Sequence, residues 1–322
     1  MRVVSLEDIR DVYIKSAQRG LPFLMSKFSF SSSKRTKSSF NDTEIPASDW
    51  SQVPAVRKRW NKLITGDESS GYESYFSTQF SFPDYGVKML SIGSGVCSHE
   101  LMLAQLNPDW DITCVDFSEN LLAEASRQAG NYGLKNMHFL PEDIYSYEIP
   151  EETYDIVFFH QSLHHFKPMD QFVARMWNVL KPHGKLVINE YVGPDRMQYG
   201  KGQLAAINEG LSRLEPSYKA IYKTKLQKNR YYGSGLLRMR LSDPSECVDS
   251  ERILPEIHRR FTVVEEKGYG GNLLMPLLKD IAHHFLLEDE KTSAQLEMLF
   301  RLEDDYLRKN PSDFVFGVYE KE

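Results

Sequence analysis

A chain of 322 residues has room for one large domain or two small ones, each with a sizeable core. Its net charge of −6 argues against a general nucleic-acid binder, and 41% hydrophobic and 12% aromatic residues are ordinary for a globular protein. No apolar run approaches the length of about 18 residues expected of a transmembrane helix.

Met1 to Leu24 is broken by charges at Glu7, Asp8, Arg10 and Asp11, so it does not read as a signal peptide. Ser5 is placed to cap a helix predicted through Ala17. Lys27 to Asn41 is serine-rich and basic, with no apolar period, and reads as a linker. Residues 1–48 are therefore expected to be an N-terminal helix and linker, and 49–322 the main domain. From Asp49 to Gly66 order resumes: Pro54 suits a first helical turn, and Val56, Trp60 and Leu63 recur at helical spacing. Cys97, Cys114 and Cys247 are scattered without CxxC spacing, which predicts a reducing, cytoplasmic setting with neither disulfides nor a cysteine-built zinc site.

The most informative stretch is Val87 to Ser118. A short apolar strand (Met89, Leu90, Ile92) runs into Gly93-Ser94-Gly95, a helix follows with Leu101, Leu103, Ala104 and Leu106 at helical spacing, and Asn107-Pro108 stops it. Ile112 to Val115 is a second strand, with Asp116 directly after it. Glycines admit a ligand close to the backbone, the helix start offers free N–H groups, and a strand-end carboxylate can take both hydroxyls of a ribose. This is the pattern of a nucleoside-cofactor site. Ser98 stands where a dinucleotide turn would want its third glycine.

Further strands are predicted at His138–Leu140, Tyr154–Phe159 and Lys185–Glu190, with crossover helices at Leu121–Ala129 and Asp170–Leu180. Asp143-Ile144 follows the third strand and His160-Gln161 the fourth. Taken together, this series resembles the class I S-adenosylmethionine-dependent methyltransferases, strongly over Val87 to Tyr191. Segments such as WNKLITG and EYVGPDRMQ are also similar to a little-characterised bacterial subgroup. The resemblance implies an α/β fold: a doubly wound, mostly parallel, seven-stranded Rossmann-like sheet with an N-terminal helical extension and a helical lid insert after strand five. It implies that Gly93, Ser94 and Gly95 hold the methionine end of S-adenosylmethionine. Asp116 would bind the ribose, Phe117 lie against the adenine, Asp143 and Ile144 receive the adenine edge and face, and His160 and Gln161 lie beside the methionine part. Ser91 stands where the family usually has an acid, and Glu100 is the residue that would supply the missing charge. Cys97 stands where a third small residue is usual. A roof over the cofactor from Trp60 or Tyr75 is also implied.

Beyond Tyr191 the pattern changes. A helix is predicted from Gln203 to Leu214, and Arg213 to Arg240 carries eight basic residues against one acid, Glu215, with tyrosines between them. Residues 193–250 form an insert that regular α/β architecture does not need, a natural substrate lid, with Arg196, Tyr222 and Arg230 as acceptor-binding residues. A solvated basic surface is the rival reading. Phe261–Glu266 is expected as strand six, Leu274–Leu287 and Ala294–Arg308 as helices, and Phe314–Tyr319 as strand seven.

Methyl transfer to a hydroxyl needs a base as the bond forms; a neutral amine does not. His164, His165 and Glu190 lie at strand ends and are the candidate catalytic residues. No metal is expected, because no glutamate follows His160 as in H-E-x-x-H and Asp116, Asp143 and Glu190 are dispersed. The expected activity is methyl transfer to an O or N atom of a small, anionic or sugar-containing acceptor, with no nucleic-acid or membrane partner. A cofactor-binding scaffold acting through a partner, and a nucleotide-cofactor enzyme on a related fold, remain open beside it.

Overall fold

The computed structural model describes residues 2–19, 48–80, 82 and 86–322. The predicted linker, Lys27 to Asn41, lies outside the described residues. The chain divides into two compact units, one of residues 70–192, 248–267 and 315–322, the other of 1–69, 193–247 and 268–314.

The first unit is built on a seven-stranded sheet: β1 (Lys88–Ile92), β2 (Asp111–Val115), β3 (Met137–Leu140), β4 (Tyr154–His160), β5 (Leu180–Tyr191), β6 (Thr262–Gly270) and β7 (Phe314–Glu320). The strand order is β3-β2-β1-β4-β5-β7-β6, with β1 to β5 parallel wherever they pair and the last-formed strand set between β5 and β6. Parallel neighbours need crossovers, supplied here by α4 (Ser98–Leu106), α5 (Glu119–Asn131) and α6 (Met169–Val179). Successive strand residues face opposite sides, so Leu90, Ile92, Val157, Phe159, Leu186 and Ile188 share one core. Onto it α6 turns Phe172, Val173, Met176 and Val179, which share one helix face and are all buried. Each such side chain contributes about 1.5–3 kcal/mol. The helix α9 (Ile253–His258) adds Ile253 and Ile257 to the same cluster, and α3 (Tyr72–Gln79) precedes β1.

The second unit is helical. It holds α1 (Leu6–Arg19), α2 (Pro54–Thr65), α7 (Lys201–Arg213), α8 (Leu236–Ser242), α10 (Leu274–Leu278) and α11 (Glu290–Leu307). Ser5 caps α1 as expected: the Asp8 N–H donates to its hydroxyl, and its own N–H donates to the Asp8 carboxylate. In α2, Pro54 opens the first turn and Gly66 closes the last in the left-handed conformation (φ +85°). Val56, Ile207, Leu211, Leu277, Leu296 and Leu299 lie in one buried core. A Cβ on Gly210 would stand 2.4 Å from a Leu277 methyl, so α7 and α10 approach each other through a glycine.

One predicted helix is corrected. Leu274 to Leu287 is not continuous: α10 ends at Leu278, Lys279 is extended (φ −46°, ψ 132°), Asp280 has φ +67°, and a separate turn runs from Ala282 to Phe285. Lys228 is wholly buried and donates to the Pro276 carbonyl at 2.7 Å and the Lys279 carbonyl at 2.5 Å, satisfying oxygens that the broken helix leaves free. Among the described residues no helix is long and apolar enough to cross a membrane.

Candidate active site

The carboxyl ends of the central strands finish level. Ile92 pairs with Val115 and Val115 with Leu140, while Ser91 lies opposite Phe158, two residues short of His160. Gly93, Asp116, Pro141 and Gln161 therefore leave the sheet along one edge. At Gly93 the backbone has φ +70°, and an added Cβ would stand 2.8 Å from that of Ser162. Only glycine fits there, both conformationally and sterically. Gly95 also has a positive φ (+55°), and its N–H donates to Asp116 at 3.0 Å; the Ser118 N–H reaches the other carboxylate oxygen at 2.7 Å. Asp116 is buried, which raises its pKa against these two bonds. Among the described residues the Ser94 hydroxyl is buried with no hydrogen bond of good geometry, though the Cys114 thiol lies beside it.

The order of strands and the glycine turn coincide with a sequence match: the model for a methyltransferase domain aligns with residues 90–188. Residues 90–188 thus match a methyltransferase domain. Among curated proteins, phosphoethanolamine N-methyltransferase 3 of Arabidopsis thaliana is 30% identical over 33% of this chain and 21% of its own. Demethylmenaquinone methyltransferase of Thermus thermophilus is 27% identical over 35% of this chain and 51% of its own. The matches thus span at most about half the length of these relatives. A solved phosphoethanolamine N-methyltransferase 2 of Haemonchus contortus, with S-adenosyl-L-methionine, superposes on 87% of this chain and 60% of its own at 17% identity, with a TM-score of 0.46.

Within the methyltransferase domain, Glu100 reaches back from the first turn of α4 to accept a 2.6 Å hydrogen bond from the Ser91 hydroxyl. Both are buried, and burial raises the Glu100 pKa. A carboxylate thus stands beside β1 at the position where Ser91 replaces the usual acid. Ile144 is buried; Asp143 is exposed and accepts from the Tyr145 N–H, forming a tight turn next to the Asp116 strand end. Phe117 is partly buried. His160 ends β4, and Gln161 (φ +49°) is tied by its N–H to the Asn189 carbonyl.

The loop after β4 is held from below by Glu190, which is wholly buried. One carboxylate oxygen accepts the Ser162 and Leu163 N–H groups at 2.8 and 2.6 Å; the other meets His164 Nδ1 and the Tyr191 N–H. Four donors saturate this carboxylate, which makes Glu190 the anchor of the loop and leaves it no lone pair for an acceptor proton. His164 is buried against it, and His165 beside it is partly exposed, the two rings 4.2 Å apart.

Sequence reasoning missed three residues around His160. Tyr72 and His99 meet it from α3 and α4, and Glu73 backs His99: the Tyr72 hydroxyl lies 2.8 Å from His160 Nδ1, the His99 and His160 rings are 3.5 Å apart, and His99 Nδ1 lies 2.5 Å from Glu73. His99, one turn past the glycines, was the available signal, since a polar ring there must face the strand ends. Tyr75, considered for a roof, instead donates to Glu265 and accepts from Lys267.

The predicted acceptor residues belong to the helical unit. Arg196 donates to the carbonyls of Asp243, Pro244 and Glu246 and is thereby fixed in place. Tyr222 packs on His283, with Lys223 over its face. Arg230 lies over Tyr232 and, with Lys201 and Asn208, lines a cavity of about 290 Å³. Part of the basic excess of this segment is compensated: Arg238 pairs with Asp8 and Asp11, and Arg213 with Glu209, while Lys228 is buried on two carbonyls.

Proposed function

We propose that the protein transfers the methyl group of S-adenosylmethionine to an oxygen or nitrogen of a small-molecule acceptor. The observation that carries this is the strand-end edge of the methyltransferase domain, where Gly93, Gly95 and Asp116 converge. These residues suit the cofactor. The turn has no side chain at Gly93 or Gly95, and each Asp116 oxygen takes a single N–H and keeps a lone pair for a ribose hydroxyl. Glu100 supplies the negative charge for the ammonium of the methionine moiety, and His160 and Gln161 flank that moiety. When bound, the cofactor supplies a methyl group already activated on a sulfonium, so the protein's task is alignment and, for a hydroxyl, removal of one proton.

Phosphoethanolamine and demethylmenaquinone, named for the curated relatives, are both small molecules, which supports an acceptor of that size. The test is calorimetry with S-adenosylhomocysteine and, separately, NAD. Tight binding of the first alone is the expected result, and binding of NAD alone would overturn the reading.

A further inference from the structure

Tyr72, Glu73, His99 and His160 form a compact cluster whose chemistry the cofactor site does not require. The Tyr72 and His160 rings are nearly parallel (9°), and the His99 ring stacks 3.5 Å from that of His160. Glu73 is buried and holds His99 through its Nδ1. His160 Nδ1 faces the Tyr72 hydroxyl, while Nε2 makes no hydrogen bond among the described residues and is not sealed from solvent.

The geometry points to His160 Nε2 as the base that takes the proton of a hydroxyl acceptor, with Tyr72 as the positioning residue that fixes its tautomer. This rests on the methyl-transfer reading above. A histidine is useful as a base when its second nitrogen is oriented by another group and its lone pair faces the reacting atom. In the tautomer assigned here Nδ1–H donates to the Tyr72 oxygen, which leaves the lone pair on Nε2. Burial, and then the neighbouring His99, hold the imidazole well below the usual histidine range, so the ring is neutral at physiological pH. The charged and titratable groups packed against it are His99 and Glu73, which pair with each other, and Tyr72.

In the step itself the acceptor oxygen bonds to the methyl carbon, and the methyl–sulfur bond breaks with its electron pair left on sulfur. The acceptor proton passes to Nε2, and the imidazolium so formed releases it to water, favoured by the same burial that kept the ring neutral. His164 is likewise oriented through Nδ1, by Glu190, but it is buried where His160 is partly exposed.

Nitrogen-15 NMR of histidine-labelled protein saturated with S-adenosylhomocysteine tests this, with phenol as the probe acceptor. The expected spectrum shows His160 Nε2 unprotonated and Nδ1 protonated at pH 8 and still so as pH falls through the ordinary histidine value of about 6.5. Phenol should shift the Nε2 signal as its hydroxyl donates, and Tyr72→Phe should move the proton from Nδ1 to Nε2 while S-adenosylhomocysteine still binds. A wild type with Nε2 protonated, or a phenol that leaves Nε2 unmoved or perturbs His164 instead, would overturn the assignment. Failure of the wild type to bind S-adenosylhomocysteine would instead sink the methyl-transfer reading beneath it.

Discussion

Asp116 is asked to do two things with one carboxylate: brace the turn through the Gly95 and Ser118 N–H groups, and receive hydroxyls from outside. Asp116→Ala removes both. Hydrogen bonds to a charged group contribute about 1.5–3 kcal/mol each, so affinity for S-adenosylhomocysteine should fall by about 10²-fold or more in calorimetry. An unchanged dissociation constant would remove Asp116 from the site. A second acid, Asp313, predicts a pH effect on the fold. Burial, with Glu303 nearby, lifts its pKa from 3.8 to about 7, against a hydrogen bond from Gln203. The folded state therefore holds a proton that the unfolded chain releases above its ordinary carboxylate range, and stability declines as pH rises from about 4 to about 7, by roughly 1.4 kcal/mol per pH unit traversed at most. Asp313→Asn keeps an acceptor for Gln203 and should flatten that decline; urea unfolding at pH 5 and pH 8 measures it. At this scale the sequence was partly legible. The serine at 91 and the acid at 100 stand nine residues apart, within reach of pattern, and they do meet. Tyr72 and His160 are separated by 88 positions and carry no mutual signal until the strands and α3 are placed.

Elements whose cause is local could be read directly. Strand, glycine turn and helix from Lys88 to Leu106 follow from apolar period and backbone freedom, and the observed bounds agree within a residue or two. The break in the helix after Leu278 was invisible because its apolar period continues through Phe285, while the group that satisfies the freed carbonyls is Lys228, some fifty residues earlier. Packing between α7 and α10 gives a test at this scale. Gly210→Ala adds a methyl 2.4 Å from Leu277 and 3.2 Å from Leu302, an overpacking that costs about 1–3 kcal/mol. It should lower the unfolding midpoint despite alanine's better helix propensity; a rise would mean that Leu277 moves aside freely.

Across the whole molecule, the basic segment after β5 and the acidic start of the chain belong to one balance. Asp11 is almost fully buried, with Lys279 at 2.9 Å and Arg238 at 3.0 Å. Burial alone would raise its pKa; Lys279, Arg238 and Lys15 outweigh that and hold it well below the usual carboxylate range. Its contribution to stability is thus complete above that range and lost only in strong acid, as pH falls through the folded-state value. Asp11→Ala removes the partner of Lys279 and leaves Arg238 with Asp8 alone, and should destabilise by up to about 3 kcal/mol, read as a loss in calorimetric unfolding at pH 7 that Asp11→Glu largely restores. Composition reported the basic excess faithfully, yet the acid that Arg238 meets, Asp8, lies some 230 residues away, in a helix the sequence assigned to a separate extension. The sheet carries a consequence of its own. Because β7 lies between β5 and β6, a nascent chain emerging from the ribosome can assemble β1 to β5 as they appear, but β6 has no neighbour to join until residues 314–320 have been translated. Through the synthesis of nearly fifty residues its exposed edge is a template for aggregation, which makes this interval the one in which a chaperone has most to shield.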